Sequence, residues 1–252
     1  MIRTETRGPV LVLELSHGRA NAFDLELSLE MEEAFAEFER SSAAKAAVVT
    51  GTGRIFSAGV DLLRVLEGGA SYAAEFLPAL SRSLAAVFFA RKPVVAAVNG
   101  HAVAGGCLLA AACDRRLMAR GDGRIGVPER LVGVPFPALA LEILRFTVPP
   151  GRLGEVAYLG RTYAPEEGLA LGLVDEVVEA GDLLSRAVEA AEKLSAAPGP
   201  AFELTKAQLR RPARDFLDRH AAAIDEDVAR AWAAPEAAAA IRAYVEKTLK
   251  KK

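Results

Sequence analysis

The sequence predicts an α/β fold, a layered sheet covered by helices, continued by an all-helical C-terminal part. Three observations carry this. Strand-length runs recur at KAAVVT (Lys45–Thr50), PVVAAV (Pro93–Val98) and DRRLMA (Asp114–Ala119). Stretches of helical periodicity separate them, the alternation expected of a sheet with covering helices. From about Ala180 onward the composition turns to alanine and charge, and strand candidates cease.

Each element follows in order. Ile2–Arg7 and Val10–Leu15, joined by Gly8-Pro9, read as a β-hairpin. Asp24 is placed to cap the helix that follows, in which Leu27, Met31, Ala34, Phe35 and Phe38 fall on one face with glutamates opposite. The strand Lys45–Thr50 ends at the turn Gly51-Thr52-Gly53. Ser71–Ala90 reads as a second amphipathic helix, stopped ahead of Pro93. After the strand Pro93–Val98, Asn99-Gly100 turns the chain, and Gly105-Gly106 opens a small-residue helix through Ala112. Asp114–Ala119 returns as a strand. Ala196–Pro200 reads as a joint, followed by helices over Ala201–Arg210, Ala213–Ala233 and Pro235–Lys250, with the lysine tail as a solvated end. The expected division is a core over 1–195 and a helical subdomain over 196–252, the latter serving assembly and covering the substrate site.

Composition bounds the function. At 252 residues the chain is long enough to bury a large core, and 52% hydrophobic with 25% charged residues reads as globular. A formal net charge of -2 gives no pull towards nucleic acid or an anionic membrane. The two cysteines, Cys107 and Cys113, suggest no disulfide framework; with His101 they lack the spacing of a zinc site, and buried thiols in a reducing compartment are the reading. MIRTETRG has no apolar leader core, and the longest apolar run, Ala102–Cys113, is too short to span a bilayer. A cytoplasmic location is expected.

Two segments offer chemistry. Ile55–Leu62 and Asn99–Leu108 each run from a strand-like stretch through glycine into a helix start. Backbone amides at such an entry have no partner within the helix and can face an oxygen that gains negative charge. Two amides converging on one carbonyl make an oxyanion hole. Taken singly, each segment is equally a tight turn; neither fits a nucleotide-binding glycine loop.

Five blocks occur in a fixed order: Arg19-Ala20-Asn21-Ala22-Phe23, Phe56–Leu62, Lys92–Asp114, Ile125-Gly126-Val127-Pro128-Glu129 and Gly160–Val178. On these blocks the chain resembles the crotonase (enoyl-CoA hydratase/isomerase) family over most of its length. The resemblance implies a spiral of ββα units with a C-terminal α-helical subdomain, assembled as a homotrimer or a pair of trimers. It implies acyl-CoA substrates, with coenzyme A carried as the substrate's thioester and no other cofactor or metal. Carried over position by position, the two amides are those of Val60 and Gly105. Arg19, Ala20, Ala22, Ala58, Asp61, Leu62, Val103, Gly106 and Leu108 are then the residues around the substrate.

The family's hydratases use two glutamates. Here Glu129 keeps one, and Leu108 stands where the other would be. Leu108 follows Gly105 by three residues on a similar helix face. Leucine neither holds water nor moves a proton, so the pocket is expected to be dry, which would raise the pKa of Glu129. One carboxylate in a dry pocket suits proton shuttling, and family members that move a double bond from position 3 to position 2 share this pattern, including Gly-Cys-Leu and the pair Pro135-Phe136. The expected activity is therefore 3-enoyl-CoA to 2-enoyl-CoA isomerisation. A hydratase using Glu129 alone and a scaffold that binds acyl-CoA without turnover are the rivals; thioester hydrolysis and decarboxylation also use two amides. Without the resemblance, Glu129 reads as an exposed first-turn glutamate and Leu108 as core. Asp61 reads as a helix cap, Asp114 as structural or supporting, and Arg19 as surface charge or a coenzyme A contact. Lys206 and the other C-terminal basic residues are candidates for the nucleotide phosphate of coenzyme A, in this chain or a neighbouring subunit, and the sequence does not choose among them. Phe88, Phe89 and Phe136 read as core.

Overall fold

The computed structural model describes residues 1–249; the lysine tail lies outside them. The hairpin forms as expected, β1 (Ile2–Arg7) antiparallel to β2 (Val10–Leu15). The capped helix is α1 (Leu25–Arg40): the Asp24 side chain accepts from the Leu27 amide at 2.8 Å, and Leu27, Met31, Phe35 and Phe38 are buried.

Pairs of strands then follow, each pair ending in a helix. They are β3 (Ala46–Gly51) and β4 (Ile55–Ser57) before α2 (Leu62–Phe88), and β5 (Val94–Val98) and β6 (His101–Val103) before α3 (Gly105–Ala112). The third pair, β7 (Arg115–Ala119) and β8 (Ile125–Gly126), leads to α4 (Glu129–Val132), α5 (Ala138–Thr147) and α6 (Pro150–Leu159). The first strand of each pair joins a six-stranded sheet ordered β1-β2-β3-β5-β7-β10. The second joins a four-stranded sheet ordered β4-β6-β8-β9. Here β9 is Thr162–Tyr163 and β10 is Glu176–Val178, with α7 (Pro165–Ala170) between them. Repeating this two-strand, one-helix step produces a spiral of ββα units.

The central strands are apolar throughout because the large sheet is buried on both faces. Ala47, Val49, Val94, Ala96 and Val98 face the main core with α1, α2 and α3. Ala46, Val48, Val95, Ala97 and Leu117 face a smaller core closed by Leu183, Ala187 and Ala191 of α8 (Leu183–Ser195).

Two expectations are corrected. The helix expected over Ser71–Ala90 begins at Leu62 and is broken at Gly69, whose φ of 59° and ψ of −150° are not helical. The strands of the second sheet, two or three residues each, are too short to show alternation and follow only from the ββα resemblance. The two helices expected around Pro212 are one, α9 (Gly199–Ala233), followed by α10 (Pro235–Leu249). Proline removes one helical donor, but Gln208, four residues back, is exposed, so its carbonyl can bond to water. Ala213, Val228 and Trp232 of α9, with Ala237 and Ile241 of α10, pack into the main core against α2, α4 and α5.

Candidate active site

The first candidate amide sits in a loop braced by the Ala-Asn-Ala block. Asn21 adopts φ 48°, and its Nδ2 donates to the Ile55 and Phe56 carbonyls at 3.0 and 3.2 Å while its Oδ1 accepts from the His17 amide. Ala58 N donates to the Ala20 carbonyl, and Ser57 Oγ to the Asn21 carbonyl at 2.7 Å. Phe23 donates to the Gly59 carbonyl at 2.7 Å and accepts from the Asp61 amide at 2.8 Å. Backbone groups alternate in direction along an extended chain. With Gly59 C=O and Asp61 N–H both turned to Phe23, the Val60 N–H points to the opposite side. Asp61 then caps α2 by accepting from the Leu63 and Arg64 amides.

The second amide opens α3. Ala104 has φ 53° and ψ −123°, a conformation alanine rarely adopts and one that stores strain. Its own amide is held by the Gly126 carbonyl at 2.8 Å, and the helix starts at Gly105. The first turn of a helix has no internal acceptor for its amides, so the Gly105 N–H is available. The two loops press together. A Cβ on Gly59 would stand 2.6 Å from the Val103 carbonyl oxygen and 2.8 Å from the Gly105 nitrogen; one on Gly106 would stand 2.2 Å from the Ser57 carbonyl oxygen. Glycine at both positions is what lets the two loops that carry the Val60 and Gly105 amides pack together.

These amides border a pocket of about 590 Å³, part of it open to solvent. Ala58, Val60, Leu62, Val103, Gly105, Leu108 and Glu129 of the expected residues line it. The rest of the wall is apolar: Leu80, Val132, Val134, Phe136 and Trp232 with Tyr244 beside them. Glu129 is the only carboxylate on the lining among the described residues. It is 8% exposed, and its Oε2 is buried without a hydrogen-bond partner. Burial pushes its carboxyl up to about 8, while its own backbone N–H pulls the other way. The Tyr244 phenol is also raised, by burial first; a hydrogen bond with Thr248 opposes this and the charge of Glu129 adds to it. Among the described residues no group of three or more His, Cys, Asp or Glu could hold a metal ion.

Several expected residues are not on this lining. Ala20 and Ala22 belong to the brace, Arg19 is exposed, Asp61 is a cap, and Gly106 lies against Ser57 behind the pocket. Lys206, a candidate for the nucleotide phosphate, is 6% exposed and spent on Asp114, 2.7 Å away. Arg210 joins the same carboxylate at 2.8 Å and bonds to the Phe88 carbonyl. Asp114 is thus the clamp that fastens α9 to the core. Phe136 packs against the main core and also lines the pocket. Cys107 and Cys113 are buried free thiols, both raised by burial. Trp232 and Tyr244 were missed: they arrive from helices far along the chain, and only the folded arrangement brings them here.

The model of the family described as enoyl-CoA hydratase/isomerase matches residues 5–251. The chain belongs to the enoyl-CoA hydratase/isomerase family. Human mitochondrial delta3-delta2-enoyl-CoA isomerase superposes with a TM-score of 0.95 at 25% identity, covering 100% of this chain and 99% of that one. An enoyl-CoA hydratase from Mycobacterium ulcerans gives 0.83 at 28% identity, over 89% and 98% of the two chains. Carnitinyl-CoA dehydratase from Salmonella paratyphi A is 37% identical over 188 residues, 74% of this chain and 71% of that protein. This member of the enoyl-CoA hydratase/isomerase family has the crotonase fold and is an acyl-CoA-processing enzyme.

Proposed function

We propose that the enzyme isomerises 3-enoyl-CoA to 2-enoyl-CoA with Glu129 as its single acid–base group. The observation that carries this is Glu129 itself, among the described residues the one carboxylate on an apolar pocket, with Leu108, only 3% exposed, where the family's second acid would stand. The Glu129 carboxylate takes a proton from C2 of the 3-enoyl thioester. The electron pair spreads over the dienolate to the thioester oxygen, which the Val60 and Gly105 amides receive. Glu129, now the acid, returns the proton at C4, and the double bond lies between C2 and C3. One proton leaves carbon and one comes back, so neither a metal nor a redox cofactor is called for.

The dehydratase at 37% identity supports a second reading, addition or removal of water at the same pocket by Glu129 alone. One experiment separates them. With 3-hexenoyl-CoA, isomerisation produces the conjugated 2-enoyl thioester and its absorbance rises; with 2-hexenoyl-CoA, hydration makes that absorbance fall. Rapid hydration without any 3-to-2 conversion would overturn the isomerase reading.

A further inference from the structure

The pocket ends against the C-terminal helices, and Trp232 stands at that end. It is 6% exposed, and its indole Nε1 donates to the Pro135 carbonyl at 3.1 Å, which fixes the ring. Beyond it lies a second cavity, about 500 Å³ with its open side, where α2 breaks at Gly69 and α9 gives way to α10. Val65, Leu66, Ala238 and Ile241 give this cavity an apolar side, Arg242 borders it as well, and a Cβ on Gly69 would meet no atom within 4 Å. Among the described residues, Trp232 is the only one that lines both spaces.

We propose that Trp232 sets the length of acyl chain the enzyme accepts, by closing the acyl pocket against a cavity that would otherwise extend it. The inference rests on the pocket being the acyl-CoA site. Each methylene moved from water into an apolar wall is worth about fourfold in affinity. A chain that has reached the indole gains nothing from further carbons. Removing the ring joins the two cavities, so the gain resumes along Val65, Leu66 and Ile241.

Calorimetric titration with saturated butanoyl-, octanoyl- and dodecanoyl-CoA tests this without requiring turnover. In the parent protein, affinity should rise from butanoyl and then level off or fall before dodecanoyl. In W232A, dodecanoyl-CoA should bind at least tenfold more tightly than to the parent, while butanoyl-CoA stays within about threefold. W232F, which keeps most of the packing, should show a smaller gain of the same sign. A parent series that keeps climbing about fourfold per methylene through dodecanoyl would overturn the proposal without any variant, and would route the chain past Pro137 towards Leu77 and Val228, into a cavity of about 480 Å³ that Pro137 also borders. So would a W232A series parallel to the parent's. Binding of no thioester at all would sink the acyl-CoA site and this inference together, whereas tight binding without isomerisation would touch only the assignment of Glu129.

Discussion

Glu129 ionises near 4.5 in an unfolded chain and at about 8 in the pocket, so at neutral pH the empty enzyme carries it mostly as the acid. The proposed reaction needs the carboxylate. The kcat/KM for 3-enoyl-CoA should therefore climb with pH and level off above an apparent pKa of about 8, read from the pH–rate profile. Stability should run the other way. A carboxyl whose pKa is raised by folding stabilises fully below its unfolded value and loses that contribution as pH rises towards its folded value. Denaturation of the parent and of Glu129→Gln should accordingly diverge between pH 4.5 and about 8, the variant becoming relatively more stable as pH increases. The same variant should lose isomerisation roughly 10³-fold while still binding saturated acyl-CoA. At this scale the sequence was informative where a residue's place on the pocket follows from its own neighbours in the chain. Glu129, Leu108 and the glycine-led amides are carried by local motifs. The sequence did not choose among the C-terminal basic residues, and could not show that Lys206 is held by Asp114, 92 positions away. Phe136 was read as core, which it packs against, but hydrophobicity alone does not show that it also walls the cavity.

Strands and helices were legible in proportion to their length. The buried strands β3 and β5 announce themselves as unbroken apolar runs, and α1 by its cap and its face. The second sheet offers no such pattern, yet its pairing of β4 with β6 brings the two amide-bearing loops together. Gly106 shows how little room that leaves. Gly106→Ala would push its methyl against the Ser57 carbonyl, separating α3 from the Ser57–Asp61 loop. We expect a loss of about 1–3 kcal/mol in urea denaturation and a fall in kcat of roughly 10²-fold as the Gly105 amide moves off the thioester oxygen. The Asp114 clamp is the second test. It holds the Val94 amide, Lys206 and Arg210, whose guanidinium also lies 4.2 Å over the Phe88 ring. Asp114→Ala leaves two buried cations without their partner and should cost about 3–5 kcal/mol by the same denaturation assay.

For the whole molecule, two cores back to back across one sheet explain why the chain needs its length: α8 closes one face, and α1, α2 and α3 the other. The ends of the chain meet in function. The N-terminal block braces the Val60 loop, while α9 and α10 supply the far wall of the pocket, so loosening the C-terminal helices should impair acyl-CoA binding before it unfolds the sheet. The trimeric assembly that the family resemblance implies is not visible in one chain. Sedimentation equilibrium should return three copies or a multiple of three, and a monomer would remove that expectation. A last consequence concerns Trp232, the single tryptophan of the chain. Excited selectively, it is the sole indole emitter, and it already sits on the wall an acyl chain would touch. The unmodified enzyme therefore carries its own optical reporter: a change in emission on adding ligand would time the filling of the site in a stopped-flow instrument, with no dye attached.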